Sequence, residues 1–336
     1  MSARMSSVTR VLTALWYDNH PARWLLVPVA ACYRLLAEAR RTLYRRGLRP
    51  ITELPVPVIV VGNVTVGGTG KTPFVIWLAR ELLQRGYRVG IVARGYRGAA
   101  RDWPRSVDAE SDPAEVGDEP VLLARRTRCP LAAGPDRVAA AQHLLAAADV
   151  DVVLSDDGMQ HYSLARRLEI AVVDGERGLG NGFCLPAGPL REPPGRLREV
   201  DAIVVNGGDW GHAGVFRAEA AIKEVYRLGD KSLRSIESFR NAPVHAVAGI
   251  GNPQRFFDLL EAAGLEVIKH PLDDHAVIAP EDLQFGDSAP VLITEKDAVK
   301  CEHFARNDVW CVTVDLQFET NTAVRLMRLV TRELGG

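Results

Sequence analysis

Lys71 and Thr72 are the residues of this chain whose surroundings specify a chemistry most directly. They end the run Asn63-Val64-Thr65-Val66-Gly67-Gly68-Thr69-Gly70-Lys71-Thr72. Glycines let backbone N–H groups turn toward phosphate oxygens, a lysine reaches the β- and γ-phosphates, and the hydroxyl after it can bind Mg²⁺. Thr65, Val66, Gly67, Gly68, Thr69, Gly70, Lys71 and Thr72 are therefore the candidate nucleotide-binding set, with Lys71 also placed to act on a transferring phosphate. The general pattern G-x-x-x-x-G-K-[ST] asks for glycine where this chain has Thr65. A second constellation, Ser155-Asp156-Asp157-Gly158, follows the apolar run Val152-Val153-Leu154. Carboxylates at the carboxyl end of a buried strand are where a phosphate-loop protein holds its Mg²⁺. Two aspartates also open ordinary polar turns. With a phosphate loop upstream, Asp156 and Asp157 read as metal ligands.

Such groups need a scaffold. Val58-Ile59-Val60-Val61 is a continuous β-branched run, as expected of a buried parallel strand, and Pro73 and Gly86 bracket a helix after the loop. Strand-like runs recur at 89–93, 152–154, 170–173 and 202–205, alternating with helical stretches such as 136–148, which indicates a parallel sheet covered on both faces. From 215 to 226 and from 235 to 239 the chain turns polar and charged, suggesting an extended, hairpin-like linker. The pattern restarts with strands at 244–248, 267–270, 291–294 and 309–314 and helices at 253–263 and 321–334. The expected architecture is α/β: a P-loop NTPase-like parallel-sheet domain (51–210), an extended linker (211–240), a smaller α/β domain (241–336) that closes a cleft, and an N-terminal amphipathic helix (1–50).

Composition narrows the function classes. With 41 Lys+Arg against 42 Asp+Glu, no global charge points to nucleic acid. Five cysteines without metal-ligand spacing suit reduced thiols, and no run approaches the ~18 apolar residues of a spanning helix. Between Trp24 and Arg46, Leu25, Cys32, Leu36, Ala39 and Leu43 fall on one helical stripe, and Arg34, Glu38, Arg41 and Arg45 on another. Pro28 places the start of this helix near residues 25–29. The pattern suits a helix lying on an anionic bilayer, and equally a helix packed on its own domain with a solvated basic face.

The strings GNVTVGGTGKTP, ARGYRG (93–98), GDEP (117–120), SDDGMQH (155–161), LPAGPLREP (185–193), DDH (273–275) and TEKDAVK (294–300) occur in this order. Together, from about residue 56 to the C-terminus, the chain resembles the tetraacyldisaccharide 4'-kinase family of lipid A biosynthesis. That resemblance implies ATP- and Mg²⁺-dependent phosphorylation of the 4'-hydroxyl of a tetraacylated glucosamine disaccharide 1-phosphate, giving the lipid A precursor. It implies a peripheral enzyme on the cytoplasmic face of the bacterial inner membrane, with no stable protein partner. The family is similar in carrying Ser or Thr at position 65, and commonly has Phe where this chain has Met159. The resemblance makes Lys71 and Thr72 phosphate and Mg²⁺ ligands, adds Glu119 to the surroundings of Asp156 and Asp157, and makes Asp118 and His275 a catalytic pair. Taken alone, Asp118 reads as a helix N-cap and His275 as a surface histidine. Arg94, Gln160, His161 and Arg191, polar residues in Gly- or Pro-rich loops, are candidate contacts to sugar or phosphate. A partition-type ATPase is the main rival, but its extra phosphate-loop lysine is replaced by Val66. A regulatory GTPase would need N-K-x-D, and Thr294-Glu295-Lys296-Asp297 does not supply it.

Overall fold

Every residue of the first β-branched run is buried, as strand β1 (Val58–Gly62), in the computed structural model, which describes residues 6–18, 20–304 and 308–335. Residues 1–5 of the expected N-terminal segment and residue 336 of the expected last domain lie outside the described residues. Strands follow as β2 (Val89–Ala93), β3 (Arg105–Val107), β4 (Leu131–Ala133), β5 (Val152–Asp156), β6 (Leu168–Asp174) and β7 (Ala202–Asn206). The later ones are β8 (Phe216–Arg227), β9 (Leu233–Arg234), β10 (Val244–Ala248), β11 (Val267–Pro271), β12 (Val291–Thr294) and β13 (Val309–Phe318). Helices are α1 (Ser7–Tyr17), α2 (Arg23–Arg45), α3 (Lys71–Gln84), α4 (Pro113–Val116), α5 (Asp118–Thr127), α6 (Arg137–Ala147), α7 (Pro253–Ala262), α8 (Glu295–Cys301) and α9 (Thr320–Leu334).

All these strands join one sheet in the order β11-β10-β12-β13-β8-β7-β6-β1-β5-β2-β4-β3, with β9 on β8. Pairing is parallel except at β13–β8, β3–β4 and β8–β9. The stretch 211–240, expected as an extended linker, contains β8, a 12-residue strand paired with β7 on one side and β13 on the other. Its half-exposed, charge-bearing face makes it read as a connection, although its backbone joins both halves of the sheet. Only its turn back to β9 is hairpin-like, and 236–239 is a short 3₁₀ turn. The last helix also differs from expectation. Leu326, Met327 and Val330 of α9 enter the core of the phosphate-loop half with Ile59, Phe74 and Leu78 rather than the core of residues 241–336.

Two elements near the N-terminus were not expected in this form. α1 gives no strong sequence signal and is capped by the Ser6 side chain. α2 begins at Arg23, so Pro28 lies inside it, past the first turn, where its missing N–H removes the helical bond to Trp24 O. Leu25, Val29, Cys32 and Leu36 of α2 face outward, Leu25 at 80% exposure. Ala30 and Tyr33 face the protein, and the Tyr33 hydroxyl donates to Arg191 O at 3.2 Å. Arg41, expected on the free basic stripe, is instead largely covered in an ion pair with Glu199. Among the described residues no helix is long and apolar enough to cross a membrane.

Candidate active site

The phosphate loop runs from β1 into α3, whose first residue is Lys71. Gly70 sits at φ 89° with Asn206 packed against it: a Cβ there would lie 2.0 Å from Asn206 Nδ2, so glycine is required by both conformation and space. Asn206 Nδ2 donates to Thr69 O at 3.1 Å, tying the loop to the end of β7. Thr65 sits behind the loop, where Asn63 Nδ2 reaches its hydroxyl at 3.4 Å and that of Thr69 at 3.3 Å. Thr65 therefore shapes the loop, while Val66 through Thr72 line the cavity in front of it. The cavity volume is about 910 Å³. Its opposite wall begins where Gly251 meets Gly68; a Cβ on Gly251 would come within 2.2 Å of Gly68 N.

Register carries the two aspartates to the same place. Val61 pairs with Asp156 across β1 and β5, so the β5 carboxylates emerge beside the start of the loop. Asp157, at φ 50°, lies 3.4 Å from Lys71 Nζ, and both its oxygens accept from Arg191 Nη1 at 2.9 and 3.0 Å. Burial disfavours its charge, but Lys71 and Arg191 outweigh that and hold the carboxyl well below the usual carboxylate range. Asp156 is the opposite case. Burial first, then Glu119, push it up to about 7, and its Oδ1 has no hydrogen-bond partner. Behind it the fully buried Arg137 donates to Asp156 O at 3.0 Å and Gly134 O at 2.7 Å, and burial pulls its guanidinium down to about 10.

Across the cavity, Asp118 and His275 meet as the resemblance implied. His275 Nδ1 lies 3.1 Å from both Asp118 oxygens. Gly117 rather than Asp118 is the N-cap of α5; Asp118 is the first helical residue, and among the described residues the one backbone N–H its side chain accepts is that of the adjacent Glu119, at 2.8 Å. Asp118 is buried and does not line the cavity, whereas His275 does. Burial opposes the charge on Asp118, but the His275 hydrogen bond and the ammonium groups of Lys296 and Lys300 hold its carboxyl below its ordinary value. The other ring nitrogen, His275 Nε2, is 3.1 Å from Lys296 Nζ, which also contacts Glu119 Oε1 and Asp274 Oδ1 at 3.0 Å each. An ammonium has three donors and no acceptor, so Lys296 donates to Nε2, and the proton on the neutral ring is on Nδ1, facing Asp118. Burial works against the Lys296 charge, but Glu119, Asp274 and Asp118 raise it further above its usual value. Lys296 was missed as an individual residue. The available signal was a lysine in the first turn of a helix directly after a buried strand, capped by Thr294, the same strand-turn-helix placement that Lys71 has.

The remaining candidates also gather here. Arg94, Gln160, His161 and Arg191 line the cavity together with Tyr33 and Arg40 of α2, which had been assigned no site role. Gln160 Nε2 is committed to Asn63 O at 3.2 Å and Glu192 Oε1 at 2.8 Å, so only part of its amide is free for a ligand. The Arg94 guanidinium lies 5.5 Å from the Tyr96 ring centroid. Burial, then Arg137 and Arg94, push the His161 imidazole down to about 4, which leaves it neutral at physiological pH. The far wall is apolar: Ile250, Phe256, Leu259, Val312, Val314 and Leu316.

Comparison with known proteins places the chain by sequence and by fold. The family model described as tetraacyldisaccharide-1-P 4'-kinase matches residues 22–331. The tetraacyldisaccharide 4'-kinase of Nitrosococcus oceani is 50% identical over 326 residues, covering 97% of this chain and 96% of the relative. That of Alkalilimnicola ehrlichii is 51% identical over 332 residues, covering 96% and 97%. The crystal structure of LpxK from Aquifex aeolicus in complex with ATP superposes with a TM-score of 0.76 at 29% identity, covering 93% of this chain and 99% of that one. By sequence over nearly its whole length, and by fold, the chain belongs to the tetraacyldisaccharide-1-phosphate 4'-kinase family.

Proposed function

We propose that this enzyme transfers the γ-phosphoryl group of ATP to the 4'-hydroxyl of tetraacyldisaccharide 1-phosphate in lipid A biosynthesis. The observation that carries the reading is the placement of His275, oriented by buried Asp118, across one cavity from Lys71 and the phosphate loop. The loop N–H groups and Lys71 cradle the phosphates, and phosphoryl transfer then needs mainly positioning and neutralisation of charge. His275 Nε2 is the ring nitrogen not engaged by Asp118. It takes the proton of the acceptor hydroxyl after Lys296 yields its place there, and Asp118 holds the tautomer and stabilises the imidazolium. In this division of the pair Asp118 orients the base and does not itself accept the proton. The apolar wall from Ile250 to Leu316 takes the adenine, and the sheet halves on either side of β8 act as the two lobes that enclose the ligands.

The residues fit a Mg²⁺ ion. Asp156 is buried with an unpartnered oxygen and shifted as a carboxylate short of a cation would be, and Glu119 lies close enough to raise it further. Among the described residues no three His, Cys, Asp or Glu side chains are grouped as a metal cage. Thr72 and Asp156 would hold the ion, with Asp157 and Glu119 balancing charge around it and waters and phosphate oxygens completing its ligands, and it would neutralise charge on the phosphates.

The outward stripe of α2, with Leu25, Val29 and Leu36, and the exposed Val8 and Val11 of α1 form the surface that docks on the cytoplasmic face of the inner membrane. Tyr33 and Arg40 of the same helix line the cavity, so docking sets the site at headgroup height. The test is mass spectrometry of tetraacyldisaccharide 1-phosphate incubated with the protein and Mg·ATP. A gain of one phosphate on the distal sugar is expected; ATP hydrolysis that is independent of the lipid would overturn the reading.

A further inference from the structure

His275 occupies a left-handed conformation, φ 57°, that a β-carbon makes unfavourable, so its turn needs to be held from outside. Several contacts do so. Ala276 N donates to Asp273 O at 3.0 Å, His275 N to Gly249 O at 3.2 Å, and Arg97 Nη1 to His275 O at 2.9 Å. One further hold comes from a distant part of the chain. The Asp273 carboxylate, two residues before the imidazole, accepts the Ser6 backbone N–H at 3.0 Å and the Thr9 hydroxyl at 2.7 Å, both through Oδ1. Ser6 is the N-cap of α1, so the carboxylate also lies at the positive end of that helix.

The other end of α1 is fastened to the phosphate-loop half. Trp16 Nε1 donates to Pro186 O at 2.9 Å, Asn181 N donates to Trp16 O at 3.0 Å, and Asn181 Nδ2 donates to Leu15 O at 3.0 Å. Between its two attachments α1 contributes Thr9 to the cavity wall and leaves Val8 and Val11 exposed. We infer that Asp273 is a positioning residue for phosphoryl transfer: bound by Thr9 and the start of α1, it fixes the turn that carries His275, so that correct seating of α1 is a condition for a competent aspartate–histidine pair. The inference rests on the reading of His275 as the group facing the acceptor. It extends that reading by making the N-terminal helix part of the catalytic geometry as well as a lipid-facing surface.

The experiment uses the full chain, Mg·ATP and detergent-dispersed tetraacyldisaccharide 1-phosphate at saturation, so that membrane docking does not limit the rate. Thr9→Val and Asp273→Ala should each lower kcat by about tenfold, the scale of a lost hydrogen bond to a charged group, with the KM for ATP unchanged. Thr9→Ser should restore most of the loss, because it keeps the hydroxyl. Combining Thr9→Val with Asp273→Ala should cost no more than Asp273→Ala alone. Unchanged kcat in both single variants would overturn the inference, as would a change confined to the KM for lipid, which would leave α1 a docking surface only. Parallel loss of ATP affinity and melting temperature would also overturn it, because the contact would then be holding the fold. His275→Ala is the control for the underlying reading. If that variant keeps its kcat, the assignment of the base fails; if it is inactive while Thr9→Val and Asp273→Ala are normal, only the coupling fails.

Discussion

Replacing Asp118 with asparagine removes the charge from the proposed catalytic pair with little change of shape. Where the amide oxygen faces His275 Nδ1–H the carboxylate's field alone is lost, and where the amide N–H faces Nδ1 the ring tautomer is disturbed as well, so the loss of the field sets the smaller effect. During transfer the imidazole becomes an imidazolium, its charge about 4 Å from that carboxylate. At an effective dielectric near 20 this attraction is about 4 kcal/mol, or about 10³ in kcat. Asp118 is only 6% exposed, so salt screens little of it. Lys300, 4.0 Å away, and Lys296 lose part of their compensation, for which about 1–3 kcal/mol of stability is expected. The assay is phosphate transfer from labelled ATP to detergent-dispersed acceptor, with ATP affinity and melting temperature measured on the same preparations. Asp118→Asn should fall by about 10³ in kcat with ATP affinity nearly unchanged, and a double Asp118→Ala/His275→Ala variant should be scarcely slower than His275→Ala, because residues acting as a unit are not additive. A kcat within threefold of wild type, or additive losses in the double variant, would refute the pairing.

Three further outcomes follow from the geometry. Lys71→Ala should lower kcat by about 10² or more with little change in melting temperature, and near-normal turnover would remove the phosphate-loop assignment. In metal-free protein the raised Asp156 carboxyl contributes stability that is fully present below its unfolded value of 3.8 and lost as pH rises through about 7. Urea unfolding in chelator should therefore show stability declining between about pH 4 and 7, with Asp156→Asn removing a dependence on the order of 4 kcal/mol over that range; an equal slope in both proteins would show that Asp156 is not the group. Paired Leu25→Glu and Leu36→Glu should weaken sedimentation with anionic vesicles by about 10² while sparing ATP binding, and unchanged sedimentation would make the outward stripe of α2 irrelevant to docking.

The phosphate loop was legible from the sequence because its requirements are consecutive: strand, glycines, lysine, hydroxyl, helix. Pairs that meet through folding were not. Nothing local separates Asp118 from a helix cap, and its partner stands 157 positions away. The resemblance located that pair, and its proposed direction rests on Asp118 being buried while His275 lines the cavity. β8 escaped for a different reason. Its alternation is broken by half-exposed charged positions, which is how a connection reads, and its membership of the sheet depends on backbone partners 83 or more residues downstream as well as on β7. Arg41 looked free on the helical stripe because Glu199, its partner, lies on a distant loop.

Charge in the cavity is balanced by internal pairs, and this constrains how ligands enter. Lys71 is held by Asp157, and Lys296 by Glu119, Asp274 and the ring of His275. Each cation suited to a phosphate is thus paired with groups suited to a metal or an acceptor proton. In the proposed mechanism, binding of a magnesium nucleotide would be an exchange of partners: carboxylates would turn to the divalent cation while ammonium groups would turn to phosphate oxygens. Each half of the exchange would cost less with the other, since phosphate without the cation would leave Asp157 with Arg191 alone and Glu119 without Lys296, and the cation without phosphate would strip Lys71 and Lys296 of carboxylate partners. For His275 the same logic makes readiness conditional. On the proposed mechanism its proton-accepting nitrogen, held by Lys296 at 3.1 Å, would become free when Lys296 turns to phosphate, so the base would be exposed only after the group to be transferred is in place.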